Sequence, residues 1–445
     1  MNQRRLFASA TLVLLISACA KTEPPVSASM QPLVERARAA GATDLRAHGG
    51  PDGGLVLSGK LDGRRFAAAL PANWNQKTVL HAHGYSVPGT SIKVPDDPLA
   101  TDLTFGLFRT AYGQGYAVGQ SEYDKAGMGV KTGAERTLRL KRWFDAIGSR
   151  EAYITGVSMG GNVVMALIEQ NPQDFAGGLA ACGVMDDWPS EVGALTDMRA
   201  LYNYFTRGTR YELPGDPDLA VSAISPTPPA GLSVATPLWH MLQLKRLLRP
   251  VIALFEAADA NPSGSEAAII RNVQSASGIF DADLASFGWP LVTITLGQDD
   301  MVATFGGNVY GNEGKVYRSA HLTADENARL NAAIQRIKVD PAAVERAARW
   351  YQSTGTSPVK LVSIHNAIDS LVPYGSQQAL QQRMESAGNA DNLLLITVPA
   401  TRNAVPGSSK TGYTHCGFTT EQTVIAWNAL RSWVETGQRP VIARQ

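Results

Sequence analysis

Short apolar runs alternate with longer amphipathic stretches along the first 185 residues of the chain and again after residue 357. The apolar runs have the length of buried strands, and the stretches between them repeat apolar residues at helical spacing. Strands that alternate with helices form a parallel sheet, because each helix returns the chain to the same end of the sheet. The predicted strands cover residues 55–59, 65–70, 78–85, 116–120, 153–155, 178–184, 359–365 and 393–398.

Turn and helix signals separate these strands. Asp62-Gly63 lies between two apolar runs, which is typical of a hairpin. A helix is predicted over residues 131–147, where Trp143 belongs to an apolar stripe and Gly148 marks the end. Further helices are predicted over residues 33–40, 375–388 and 420–435.

The alternation of strand-like and helix-like stretches stops between residues 186 and 356, where aromatic-rich helical runs are broken by proline and glycine. Helices are predicted there over residues 238–255, 324–337 and 340–353. The run 290–296 is strand-like and is a candidate to return to the sheet. We interpret residues 186–356 as a mainly helical cap inserted over the carboxyl edge of the sheet, where open α/β sheets bind their ligands.

Composition supports a globular protein and argues against one class of partner. The chain has 445 residues, of which 44% are hydrophobic and 18% charged, which suits one large domain or two with a sizeable core. The formal net charge is +1, and no basic run or phosphate-binding lysine motif is present. A broad electrostatic attraction to nucleic acid is therefore not expected.

The first residues have the features of an export signal. Residues 1–5 are cationic, and residues 6–16 are mostly apolar but too few to span a membrane. Ile16-Ser17-Ala18-Cys19 follows, and this arrangement resembles a bacterial lipoprotein signal. The alternative is an ordinary secretory signal with a chance cysteine. Both readings send the mature chain to an oxidising compartment.

The lipoprotein resemblance implies a signal peptide over residues 1–18 and a lipid anchor on Cys19. Ala20 follows the cysteine rather than an aspartate, which favours the outer membrane of the bacterial cell envelope. The next residues are rich in proline, serine and threonine, so 19–32 is interpreted as a flexible tether.

Gly156-Val157-Ser158-Met159-Gly160 follows a predicted strand and precedes a helix-like apolar run. Strand, tight turn and helix are the context of a nucleophile elbow, in which a strained turn exposes a reactive serine. Two glycines allow the backbones to pass without a Cβ clash. The following helix directs its first N–H groups at any anion formed beside Ser158. The alternative is a glycine-rich turn with an ordinary serine.

A serine hydroxyl needs a base, and the base needs a carboxylate that holds it in one tautomer. The chain order Ser158, Asp369, His415 is that of α/β hydrolases, and the last two residues follow the ends of predicted strands. All three candidates therefore fall at one edge of the sheet. Asp299 and Asp300 also follow a strand-like run and are the alternative carboxylates, ranked below Asp369.

The tetrahedral intermediate of acyl transfer needs two N–H donors for its oxyanion. We predict the backbone N–H groups of Met159, directly after the nucleophile, and of Tyr85, where the loop begins after the strand that ends in His83-Gly84. His83 is expected to brace that loop and adjoin the substrate pocket. Trp188, just beyond a strand end, is the predicted pocket wall.

No metal or other cofactor is expected. His81 and His83 alternate on one predicted strand and could suggest a metal pair, but no nearby downstream Asp-His pair completes a ligand set. Of the three cysteines, Cys19 is reserved for the lipid, which leaves Cys182 and Cys416 as one possible disulfide. The alternative is two small buried thiols.

Together His83-Gly84, the Ser158 motif, Asp369 and His415 resemble the α/β-hydrolase superfamily, including bacterial esterases and prolyl-oligopeptidase-like enzymes. The resemblance implies a hydrolase core over residues 33–185 and 357–445, interrupted by the cap at 186–356. His415-Cys416 is also reminiscent of the tannase and feruloyl-esterase group. In that group a second cysteine directly precedes the nucleophile, where this chain has Val157.

The predicted function is a lipid-anchored serine esterase that cleaves carboxylic esters, small or polymeric, through an acyl-enzyme. A serine peptidase or amidase uses the same triad and is the first alternative. A non-catalytic binding lipoprotein on a hydrolase fold is the second.

Overall fold

A computed structural model describes residues 23–90, 94–100, 103–232, 234–279 and 283–442. The strands in these ranges are β1 (Thr43–Gly49), β2 (Leu55–Leu61), β3 (Arg64–Leu70), β4 (Lys77–Ala82), β5 (Ala117–Ser121), β6 (Glu151–Val157), β7 (Gly177–Ala181), β8 (Lys360–Asn366), β9 (Leu393–Val398), β10 (Arg402–Ala404) and β11 (Thr411–Tyr413). The α-helices are α1 (Gln31–Ala39), α2 (Leu107–Gly113), α3 (Val130–Ile147), α4 (Met159–Gln170), α5 (Trp188–Thr206), α6 (Thr236–Ala260), α7 (Ser265–Ser277), α8 (Leu284–Phe305), α9 (Ala324–Ala333), α10 (Pro341–Tyr351), α11 (Gly375–Ser386) and α12 (Thr420–Thr436).

The central sheet has the order β1-β2-β3-β5-β4-β6-β7-β8-β9. Its first four strands pair antiparallel, and every pairing from β5–β4 to β8–β9 is parallel. A mostly parallel sheet of this order, flanked by helices, confirms the predicted α/β-hydrolase class. The carboxyl ends of the parallel strands meet at one edge, so the loops after β4, β6, β8 and β9 lie together.

Both faces of the sheet are covered because its strands are apolar on both sides. On β6, Ile154 belongs to the core cluster formed with α1, α3, α4 and α11. The neighbouring Tyr153 belongs to the cluster on the opposite face, with Phe108 of α2 and Trp427 of α12. This double layer holds the strand that leads to Ser158.

The cap has a core of its own. Helices α5 to α9 contribute Leu201, Leu254, Val273, Phe287 and Leu330 to one buried cluster. Helix α10 instead packs toward the sheet layer, with Ala343 and Ala347 in the same cluster as α3 and α4. Val192 of α5 and Ile294 of α8 belong to the same cluster, so three cap helices join the cap to the sheet layer, in addition to the chain connections.

The prediction of a strand at residues 290–296 is wrong. The run lies inside α8, which contains Pro290 and is buried on most of its faces. Continuous burial produces a continuous apolar run, and periodicity then cannot separate helix from strand. The hydroxyl of Thr295 donates to the carbonyl of Leu291, a local bond that suits β-branched threonine in a helix.

Two regions of strand have no counterpart in the sequence-based prediction. Strand β1 pairs with β2 at the sheet edge and is largely exposed or half-buried. The β10–β11 hairpin has three residues in each strand and pairs only with itself. Their sequences are mostly polar and show no regular alternation of apolar residues. Strand β1 reads TDLRAHG, β10 reads Arg402-Asn403-Ala404 and β11 reads Thr411-Gly412-Tyr413.

The predicted signal peptide and the lipidation site Cys19 lie outside the described residues. The described part of the predicted tether, from residue 23, lies against the sheet edge. There Pro24 accepts a backbone hydrogen bond from Gly49, and Met30 is buried. Within the described part of the chain, every helix is too short or too polar to cross a membrane.

Candidate active site

Ser158 lies in the tight turn between β6 and α4, with φ 58° and ψ −126°. A non-glycine residue at positive φ is strained and persists only where its surroundings fix it. A Cβ on Gly156 would lie 2.1 Å from the Gly160 carbonyl oxygen, and a Cβ on Gly160 would lie 2.1 Å from that of Ala82. Only glycine at both positions permits this crossing, which presents the serine hydroxyl above the sheet.

The three side chains separated along the sequence form one hydrogen-bonded line. His415 Nε2 lies 2.7 Å from Ser158 Oγ. On the other side of the ring, His415 Nδ1 lies 2.8 Å and 3.0 Å from the two oxygens of Asp369. Because Asp369 accepts at Nδ1, the tautomer with its proton there leaves Nε2 free to accept the serine proton.

The Asp369 carboxylate is fixed by the backbone as well as by His415. It accepts N–H bonds from Leu371 at 2.8 Å, Val372 at 3.0 Å and Cys416 at 3.2 Å. Burial disfavours the charged form of Asp369, but His415, His365 and the Leu371 N–H outweigh burial and lower its pKa. The group is therefore a carboxylate near neutral pH.

The loop that carries His415 is held at two further points. The side chain of Asn366, at the end of β8, donates to the Gly417 carbonyl at 2.8 Å and accepts from the Gly417 N–H at 3.1 Å. Cys416 forms a disulfide with Cys182, the residue after β7, as hypothesised from the cysteine count. These contacts fix the imidazole relative to two neighbouring strands.

The loop after β4 passes directly beside the serine. A Cβ on Gly84 would lie 3.2 Å from the Ser158 Cβ. Met159 is the first residue of α4, and the first N–H groups of a helix have no acceptor within it. The N–H groups of Tyr85 and Met159, predicted as oxyanion donors, therefore belong to the two segments that flank the hydroxyl.

His83 braces that loop, as its position in the sequence suggested. Its Nδ1 lies 2.9 Å from the Gly84 carbonyl oxygen, and its ring stacks on Tyr123 with the centroids 3.6 Å apart. Burial lowers the pKa of His83 to about 4, so the ring is neutral near pH 7. The Tyr85 side chain points elsewhere, since its hydroxyl contacts α8 beside Gly297.

A cavity of about 340 Å³ reaches His415 from the cap side. Its walls come from the first turns of α8, the loop after β8, the β10–β11 hairpin and the His415 loop, and include Trp289, Leu371, Val405 and Tyr413. Trp188, the pocket wall predicted from sequence, is buried at the start of α5 and does not line this cavity. Trp289 was missed because nothing in its local sequence distinguishes it from a core tryptophan.

One carboxylate joins the two halves of the cavity wall. Asp283 caps α8 by accepting from the Ser286 N–H at 2.8 Å. Its other oxygen accepts from the Tyr413 N–H at 2.6 Å and lies 3.4 Å from Arg402 of the hairpin. The hairpin that leads to His415 is thereby attached to the cap.

A second buried acid lies near the site. Glu191, in the first turn of α5, has its pKa raised to about 8 by burial and then by the charges of Asp369 and Asp186. It is therefore mostly protonated at neutral pH.

The alternative carboxylates have structural partners. Asp299 accepts from the Ser222 N–H at 2.9 Å. Asp300 accepts from the Met128 N–H at 2.7 Å and pairs with Lys125 at 2.6 Å. Both lie in the last turns of α8, and His415 pairs with Asp369 instead.

The side chains of Cys182, Asp369, His415 and Cys416 bring potential metal-ligand atoms within 4.8 Å of one another. The two sulfurs are bonded to each other, and the carboxylate is engaged with the imidazole. With the disulfide intact, these residues do not offer a free ligand set.

No known protein family and no curated protein matches the chain at the level of sequence. Solved structures with a similar chain path include an esterase from Aspergillus oryzae, at 15% identity and a TM-score of 0.41, covering 87% of this chain and 80% of that one. Feruloyl esterase B from Aspergillus oryzae has 13% identity and a TM-score of 0.43, with 87% and 81% covered. A putative lipase from Acinetobacter baumannii AYE has 12% identity and a TM-score of 0.38, with 93% and 98% covered. Likeness at this level carries no argument about activity.

Proposed function

We propose that the protein is a serine hydrolase that cleaves carboxylic esters through an acyl-enzyme. The observation that carries the proposal is the line from Ser158 through His415 to Asp369, with contacts of 2.7 and 2.8 Å, on a strained turn at a helix start. A positioned serine, base and carboxylate are the parts that nucleophilic acyl transfer requires.

In the proposed reaction His415 takes the Ser158 proton as the hydroxyl attacks the ester carbonyl. The N–H groups of Met159 and Tyr85 stabilise the oxyanion, and Asp369 stabilises the imidazolium. His415 then gives its proton to the leaving alcohol. Water, activated by the same imidazole, releases the acid and restores the serine.

The leaving alcohol belongs on the His415 side of the serine, because His415 protonates its oxygen. The cavity between α8 and the hairpin has His415 itself in its wall. Its volume is at the lower end for ligand pockets, and Trp289, Leu371 and Val405 make it largely apolar. We assign it to a flat apolar alcohol portion such as an aryl group.

A fluorophosphonate probe tests the proposal. The wild-type protein should be labelled, and Ser158→Ala should lose both label and turnover, the latter by roughly 10⁴–10⁶-fold. Asp299→Asn serves as the matched control and should keep the label. An unlabelled wild type would favour the non-catalytic binding protein.

A substrate panel separates esterase from peptidase. Nitrophenyl esters and aminoacyl-nitroanilides present the same chromophore on different bonds. The proposal predicts turnover of the esters and little or none of the anilides. Preferential cleavage of the anilides would assign the protein to the peptidase class.

The cellular location remains a separate proposal. We propose that Cys19 carries a lipid that holds the enzyme at the cell envelope, on the strength of the Ile16-Ser17-Ala18-Cys19 sequence after an apolar segment. Metabolic labelling with an alkyne fatty acid, compared between wild type and Cys19→Ser, tests it.

A further inference from the structure

One part of the cap exposes a cluster of apolar side chains. Among the described residues, eight large hydrophobic side chains are exposed, and four of them fall between residues 232 and 242. They are Leu232, Leu238, Met241 and Leu242, each 46–47% exposed. Single exposed apolar residues are ordinary, whereas a cluster marks a contact surface for another molecule.

Three of these residues lie on one stripe of α6 that continues with cations. Leu238, Met241 and Leu242 are followed at helical spacing by Lys245, Arg246 and Arg249, which are also exposed. We call these six residues the α6 stripe. The opposite side of the helix is buried in the cap through Gln243, Leu247, Leu248, Val251, Leu254 and Phe255.

The stripe is positively charged along this part of α6. No acidic residue occurs on the helix before Glu256. A groove of about 960 Å³ beside the stripe adds Arg210 to its three cations, with Glu212 and Glu256 as the acidic groups in its lining. In the lining of this groove, beside the cationic end of the stripe, cations therefore outnumber acids two to one.

We propose that the α6 stripe docks the protein on the surface of a bilayer that contains anionic phospholipids. The apolar tip at Leu238, Met241 and Leu242 enters the boundary between headgroups and acyl chains, and the cations remain at the level of the phosphates. Helices that bind membrane surfaces combine these two features. At about 1.5 Å per residue, Leu238 and Arg249 are separated by about 16 Å, so an inclined α6 spans both layers.

The charge pattern favours a lipid surface over a second copy of the chain. The same stripe on a second copy carries only apolar and cationic side chains, so the cations of both copies would find no acidic partner on it. An anionic bilayer offers a hydrocarbon boundary and a phosphate layer in the order that the stripe requires. The proposal does not depend on the ester-hydrolase function, since binding is measured without turnover.

Vesicle flotation of the full chain tests the proposal. The vesicles are phosphatidylcholine alone and phosphatidylcholine mixed with phosphatidylglycerol. The charge variant is Lys245→Glu with Arg246→Glu and Arg249→Glu, and the tip variant is Leu238→Ser with Met241→Ser and Leu242→Ser. Every protein carries Cys19→Ser, so that the lipid proposed for Cys19 does not contribute to the binding that is compared.

The matched control reverses three exposed cations elsewhere in the cap, Arg318→Glu with Arg329→Glu and Lys338→Glu, and so makes the same change in net charge. The charge variant should lose roughly 100-fold in partitioning to the anionic vesicles, at about tenfold or less per cation. The tip variant should lose roughly 100-fold on both kinds of vesicle. The control should partition like wild type.

Equal losses in the control and the charge variant would overturn the proposal, because net charge alone would then explain binding. Absence of any difference between wild type and both stripe variants would also overturn it. Sedimentation that shows a wild-type dimer, separated by the tip variant, would assign the stripe to self-association instead. Circular dichroism of each variant checks that the proteins are folded.

Discussion

At the scale of single residues, the turn that holds Ser158 depends on two glycines, because neither position has room for a side chain. The crossing between β6 and α4 leaves no room for a methyl group at Gly156 or Gly160. The strain at Ser158 is therefore maintained by the close approach of rigid elements on both sides. A substitution here acts on the backbone path and so on the direction of the hydroxyl.

Gly156→Ala should abolish turnover and destabilise the fold by about 1–3 kcal/mol, because the new methyl meets the Gly160 carbonyl oxygen at 2.1 Å. Urea unfolding and fluorophosphonate labelling measure the two effects. Gly113→Ala is the control, since a Cβ there meets no atom within 4 Å. It should be neutral or stabilising. Equal behaviour of the two variants would contradict the steric argument.

Trp289 is the residue at which selectivity should be most easily changed. Trp289→Ala removes the aromatic wall of the cavity beside His415 and should raise KM for naphthyl acetate by about tenfold. The hydrolysis of methyl acetate should change little, because its alcohol portion does not reach the wall. Trp350→Ala on α10 controls for loss of a tryptophan. A uniform loss with both esters would argue against the assignment of the cavity.

Because of Glu191, the free energy of unfolding should decrease as the pH rises. Its pKa is raised from 4.5 to about 8 in the folded state, so the folded protein binds the proton more tightly than the unfolded chain. Its contribution is complete below pH 4.5 and is lost as pH rises to about 8. Glu191→Gln should flatten this slope and gain on the order of 3 kcal/mol relative to wild type at pH 8. Urea unfolding at pH 5 and pH 8 measures it, and an unchanged slope would refute it.

At the scale of elements, the cap and the His415 loop meet through Asp283. This carboxylate caps α8 and holds the Tyr413 N–H, two residues before His415. The cavity wall and the base are thus parts of one connected unit. A change in the first turn of α8 should therefore alter the position of His415 and lower turnover.

Asp283→Ala should lower kcat as well as stability, because it frees the hairpin along with the helix end. Loss of a helix cap alone costs about 1 kcal/mol. Asp340→Ala removes the comparable cap of α10, where Asp340 accepts from the Ala342 N–H, and does not touch the hairpin. Steady-state kinetics with urea unfolding should show a fall in kcat for Asp283→Ala only. Equal kcat in both variants would separate the hairpin from catalysis.

The order of the strands in the chain could largely be predicted from the sequence, and the exceptions have two opposite causes. Strands β2 to β9 are buried and can be recognised in the sequence as apolar runs. Strand β1 and the β10–β11 hairpin are polar and half-exposed, so they give no such signal. Helix α8 is buried on most of its faces, so its run 290–296 carries no helical period. The three residues of the proposed triad could be found because the fold fixes their order along the chain. Trp289 could not, since its place depends on how the cap meets the hairpin.

At the scale of the whole molecule, the Cys182–Cys416 disulfide joins residues 234 positions apart. It ties the end of β7 to the residue beside the proposed base. A cross-link restricts the unfolded chain, and it also limits how far the His415 loop can move.

Replacing both cysteines by alanine should cost about 2–4 kcal/mol of stability and lower turnover. Wild type treated with dithiothreitol should approach the double variant in both properties. The double variant itself should not respond to the reductant, which controls for other effects of the reagent. Full activity in the double variant would show that Asn366 and Asp369 alone position the loop.

The proposed nucleophile precedes the cap, whereas its carboxylate and base both follow it. A nascent or clipped polypeptide that stops anywhere short of residue 415 therefore has a serine with no imidazole to activate it. Such fragments would be inert toward esters. Synthesis from the amino end would therefore leave the proposed nucleophile without its base until residue 415 has been added.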